Sequence, residues 1–185
     1  MTTTRAVTRG AIAGVIGSIA MGMVAMIAAA TYQHKGFFTP LYHIASLVIP
    51  STTMMHSAMA AAAGSTFTFS AGPALLGLML HMMVGAGFGA VFGLILTRVP
   101  QLALVGRIVA GTVMGVVAFA ASAFVLLPLM SVVANDPHVI RNMASIVGYP
   151  TFLLEHVAFG MVLGAASVSA PARALAASPR VPVSA

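Results

Sequence analysis

Residues 73–97 read PALLGLMLHMMVGAGFGAVFGLILT. The run holds no Asp, Glu, Lys or Arg, and a bilayer core takes about 20 apolar residues as a helix. Pro73 opens it and Pro100 follows it, so proline stays out of its middle. That placement suits a helix whose backbone must satisfy its own hydrogen bonds in lipid. Gly77, His81, Gly85, Gly89 and Gly93 fall four apart and therefore share one face.

Three further stretches have the same character. Spans are expected at about 11–31, 108–129 and 152–170, beside the one at 73–97. Residues 1–9 then form a short N-terminus, 32–72 and 130–151 form two larger loops, and 171–185 a Pro/Ala/Ser-rich tail expected to be disordered. The expected class is all-α: an integral membrane four-helix bundle with short interfacial helices near 40–49 and 137–147. Arg5 and Arg9 ahead of an apolar run that ends in Ala28-Ala29-Ala30 also resemble a signal peptide. The run is long for that role, and a retained span is expected.

Composition agrees. Of the 185 residues, 60% are hydrophobic and 5% charged, against roughly 25% charged in soluble domains. Too little charge remains to coat a water-facing surface, which excludes a soluble enzyme and a nucleic-acid-binding domain. The net charge of +6 has a different explanation. With the N-terminus in the cytoplasm, Arg5, Arg9, Arg98, Arg107, Arg173 and Arg180 fall inside, and only Lys35 and Arg141 outside. This is the positive-inside pattern of a cell inner membrane protein with both termini cytoplasmic. His34, His43, His56, His81, His138 and His156 then lie in the outer half, with Asp136 and Glu155.

The chain also repeats itself. His81, Gly85 and Gly89 in the second span match His156, Gly160 and Gly164 in the fourth, as H-x-x-x-G-x-x-x-G. Gly10 and Gly14 in the first span match Gly111 and Gly115 in the third. Ala45-Ser46-Leu47-Val48 echoes Ala144-Ser145-Ile146-Val147 between them. Two parallel helical hairpins related by an axis along the membrane normal are expected. The eight glycines are expected to carry helix packing, because small residues let backbones approach in lipid.

No catalytic motif is present: no phosphate loop, no carboxylate pair, no HExxH, and no Cys for thiolate chemistry. No enzyme is expected. His81 and His156 are the groups that need explaining, since an ionisable side chain within a span is costly and often functional. They read either as polar glue between helices or as a site, with Glu155 beside His156. In the inserted segment Met55, His56 and Met59 form a short helix near the same level. Thioether and imidazole together suit a soft metal such as copper. Met residues are equally good apolar filler. Haem between the histidines would need the glycine-lined helices pushed apart. The sequence requires no cofactor, and copper or haem are the candidates if one is used.

The Gly-rich first span with Gly10 and Gly14, and His156, Phe159, Gly160 and Gly164 in the last, resemble a family of small four-span bacterial membrane proteins of unknown function. The resemblance implies a four-helix architecture over residues 10–168 and no particular activity. Two functions are therefore expected as alternatives. One is a small structural or accessory subunit, in contact with lipid and with other membrane subunits or copies of itself. The other is outer-side metal or haem binding or transport through His81 and His156.

Overall fold

The structure is a computed structural model and describes residues 2–167. The expected tail at 171–185 lies outside the described residues. The elements in chain order are α1 (Thr3–Ala30), α2 (Thr39–Ala45), α3 (Thr52–Ala62), α4 (Ala71–Leu96), α5 (Leu104–Ala121), a π turn (Ser122–Leu126), α6 (Leu127–Ser131), α7 (Pro137–Arg141), α8 (Met143–Val147) and α9 (Tyr149–Ala166). Among the described residues, four helical stretches are long and apolar enough to cross a membrane: Thr3–Ala30, Ala71–Leu96, Leu104–Ser131 and Tyr149–Ala166. The four form a bundle, and α2, α3, α7 and α8 cluster at one end of it.

Two boundaries differ from expectation in an informative way. The first helix starts at Thr3, so Arg5 and Arg9 belong to its first turns. The third runs through Pro128 to Ser131. Proline has no N–H and crowds the carbonyl four residues back, here that of Phe124. The helix accommodates it with the π turn, in which the Leu127 N–H reaches the Ser122 carbonyl five residues back.

Side-chain size is sorted oppositely to a water-soluble bundle. Ala6, Gly10, Ala13, Gly14, Gly17 and Ser18 are the buried residues on the first two-thirds of α1, while Ile12, Ile16 and Ile19 are exposed. On α5 the inner face is Gly111, Met114, Gly115 and Ala118, and Val105, Val109, Val113 and Val117 face out. Lipid tails are as apolar as a valine, so the outside need not be hidden. Close packing of small residues holds the helices together instead.

Two seams carry that packing. On the first, Gly10 lies against the carbonyl of Gly89, Gly14 against that of Gly85, and Gly93 against that of Ala6. On the second, Gly111 lies against the carbonyl of Gly160, Gly115 against that of His156, and Gly164 against that of Arg107. So α1 pairs with α4, and α5 with α9, backbone on backbone. The seams are equivalent, yet one turn away from the sequence match. Gly14–Gly85 corresponds to Gly111–Gly160, and Ser18 corresponds to Gly115. Matching Gly10 with Gly111 aligns the glycine spacing but not the contacts. The reason is that α1 has an extra glycine row, with Ala6 continuing it, and the seam slides by one turn along it.

The bundle is closed on one side only. α1 also packs along α9, where Gly17 lies flat on the ring of Phe159. The symmetric partner of that interface is α5 with α4, and there the helices hardly touch. By the seam correspondence, Met114 stands where α1 has Gly17, and Val84 where α9 has Phe159. A methionine cannot give the flat approach that glycine allows.

The seams make a sharp prediction. A Cβ at Gly89 or Gly160 would meet the facing backbone, whereas one at Gly87 meets nothing within 4 Å. Gly89→Ala and Gly160→Ala should each lower stability in detergent by about 1–3 kcal/mol, the cost of overpacking. Gly87→Ala should be neutral or stabilising by up to about 1 kcal/mol, because alanine is the better helix former. Thermal unfolding of the three variants checks the sign.

Candidate functional site

The space left by the open α4/α5 side, below the short helices, is a cavity of about 310 Å³. Every long helix contributes: Ser18 and Gly22 from α1, His81 and Phe88 from α4, Ala118 and Ser122 from α5 and the π turn, Glu155 and His156 from α9. Its floor is a cluster of Ala13, Phe92, Met114, Phe159 and Leu163, packed between the four helices. Its roof is a second cluster of Leu127, Ile140, Met143, Ala144 and Phe152. The walls are almost wholly apolar, and a few polar groups are set into them.

The short helices are tied down over this cavity by hydrogen bonds. Asp136 accepts from Ser51 Oγ at 2.5 Å and caps the start of α7 at Val139 N–H. Gln33 Nε2 donates to the Val147 carbonyl, and Lys35 Nζ to that of Ile146. Tyr32 and Thr151 share a hydroxyl hydrogen bond of 2.8 Å. Tyr42 donates to the Thr68 carbonyl and accepts from Ser70 N–H, fixing the entry to α4. The roof is therefore a built layer joining both halves of the chain.

His81 and His156 both line the cavity, but their imidazoles are held differently. His81 Nε2–H donates 3.0 Å across the first seam to the Ser18 carbonyl. His156 Nδ1–H donates 2.7 Å to the Phe152 carbonyl one turn back on its own helix, with the rings of Phe119 and Phe152 edge-on to it. A carbonyl only accepts, so it fixes which nitrogen carries the proton. The neutral ring then keeps Nδ1 of His81, and Nε2 of His156, as acceptors. Each histidine is thus glue on one nitrogen and available on the other.

Glu155 is buried, lines the same cavity, and has no hydrogen-bond or ionic partner among the described residues. Ser18 Oγ is fully buried against Gly85 in the first seam and is also unpartnered. Buried polar groups are nearly always satisfied, so each exception calls for an explanation. The sequence pointed to Glu155 through its rarity. Nothing in it distinguished Ser18 from other small residues of the glycine face, and only the seam's register presses its hydroxyl against Gly85.

The remaining expected metal ligands are elsewhere. Met55 and Met59 are exposed on α3, as is His56, and none lines the cavity. The α3 helix is held by Ser57, whose hydroxyl accepts from Thr39, so that its Met/His face turns outward. Among the described residues no three His, Asp or Glu side chains form a group that could hold a metal ion. His43, expected on a short interfacial helix of the outer half, lines the cavity from the roof and donates to the Val139 carbonyl.

No family model, no curated protein and no solved structure matches this chain.

His43 gives the roof a pH dependence. Burial lowers its pKa from 6.5 to about 4, reinforced by Lys35 and opposed by the Val139 carbonyl and Asp136. A depressed base protonates more readily once its site opens. Stability of the roof is thus intact above pH 6.5, declines as pH falls through the interval, and stops declining below about 4. The gap corresponds to about 3 kcal/mol. Thermal unfolding of His43→Gln should show less acid sensitivity than the parent between those limits.

Proposed function

We propose that this protein is a multi-pass membrane protein that binds a small, largely apolar molecule in the cavity between its four spans, and that its role is binding rather than catalysis. The reading rests on one observation: Glu155, buried and without a partner among the described residues, lines the same apolar cavity as His81 and His156, each of which spends only one ring nitrogen on a carbonyl. A site of a few convergent polar groups in an apolar pocket of some 300–1,000 Å³ is the usual form of a small-molecule site. The structural or accessory-subunit reading accounts for the glycine seams and the apolar exterior. It leaves these polar groups without a purpose. The copper reading draws support from the two imidazoles alone, since Met55, His56 and Met59 face away.

The arginine distribution supports an inner-membrane protein with both termini in the cytoplasm. The roof and the cavity then lie towards the outer leaflet, and the short α4–α5 turn faces inward.

Native mass spectrometry of the protein in lipid nanodiscs tests the proposal. The parent should carry a non-covalent adduct. Gly22→Phe should lose it: Gly22 lines the cavity, and a Cβ there meets only the His81 ring at 3.8 Å, so a large side chain fills the space without prying the helices apart. In adduct-free protein, Ser18→Ala should raise stability by about 1–3 kcal/mol by deleting an unpartnered hydroxyl. A bare parent mass, or an adduct retained by Gly22→Phe, would overturn the reading.

A further inference from the structure

We infer that the cavity is entered sideways from the lipid, between α4 and α5, and that its occupant is a membrane-dissolved amine: an apolar body with one ammonium head. The inference rests on the binding reading above and adds the route and the chemical class.

The route follows from the broken symmetry of the bundle. α4 and α5 are joined through residues 97–103 at the far end and then diverge, leaving no packed interface between them beside the cavity. Met83 and Val84 both line the cavity and are exposed on the outside of the bundle, at 68% and 40%. Residues that belong at once to the wall and to the exterior mark a mouth. Across from them the rim is the π turn, with Ser122 and Leu126 lining the cavity. The rim is apolar and lies on spans that face hydrocarbon, so a molecule partitioned into lipid reaches it without crossing water. From the roof side the short helices and their hydrogen bonds stand in the way.

The class follows from the polar inventory. Carbonyl partners have taken the donor nitrogens of both histidines. What each neutral ring presents is a lone pair, and Glu155 adds a carboxyl with no cation among the described residues. An acceptor-rich, singly acidic site complements a donor-rich head of opposite charge. An ammonium supplies three donors and the charge; an alcohol supplies one donor and none. Phe88, Phe152 and Phe159 line the same space and suit both an apolar body and a nearby cation.

Fluorine NMR in phosphatidylcholine nanodiscs, with ω-fluorodecylamine and ω-fluorodecanol as probes, tests both claims. The amine should give a saturable bound signal about ten-fold tighter than the alcohol, the margin of a charge-assisted over a neutral hydrogen bond. Glu155→Gln, which keeps size and shape, should bring the amine down to the level of the alcohol and leave the alcohol unchanged. Val84→Trp at the mouth should slow exchange of both probes by about ten-fold or more, the effect of roughly 1.4 kcal/mol on a barrier. Equal binding of amine and alcohol, or a Glu155→Gln protein that still prefers the amine, overturns the class while the cavity stands. Unchanged exchange in Val84→Trp overturns the route. Bound signals for both probes that survive Gly22→Phe overturn the cavity reading itself.

Discussion

The two seams that hold this protein together are contacts between backbones. Glycine Cα atoms on α1 and α5 rest on carbonyl oxygens of α4 and α9, and no side chain intervenes. In lipid there is no water to drive apolar faces together, so the energy of association comes from such contacts and from the few hydrogen bonds between helices. Everything else follows from where the seams lie. They set the depth of His81 and His156 and bring Ser18 opposite Gly85. They also take up the small-residue face of each helix, leaving the large aliphatic side chains to the exterior.

A two-fold bundle built from two such seams should have two equivalent interfaces between them. Only one is formed. Gly17 against Phe159 closes α1 on α9, whereas Met114 and Val84 occupy the corresponding places on α5 and α4. The difference between a glycine and a methionine at one position thus decides whether the centre is filled. Pro128 acts in the same direction, since the π turn ahead of it forms part of the cavity wall. Glu155, His81 and His156 line the space left open, and the roof helices cover it from one end.

Several features were legible in the residues themselves. The four spans follow from apolar run length, and the shared faces from glycines four apart. His81, His156 and Glu155 stand out because ionisable groups are rare in such spans, and all three do line one cavity. The copper-like grouping failed to assemble for a physical reason. Helical spacing puts Met55 and Met59 on one face, but it does not say which way that face turns. The Ser57–Thr39 hydrogen bond turns it outward. Glycine spacing left the register of the two seams open, because a row of small residues offers several equivalent steps one turn apart.

Run length, charge placement and residue size thus determined by themselves that this is a four-helix membrane protein, because a bilayer imposes those requirements on any chain that crosses it. Tertiary structure alone decided which step of the glycine row was used, which interface stayed open, and which polar groups were left without partners. Those outcomes depend on contacts between residues far apart in sequence, where one methyl group or one hydroxyl settles the approach of two helices.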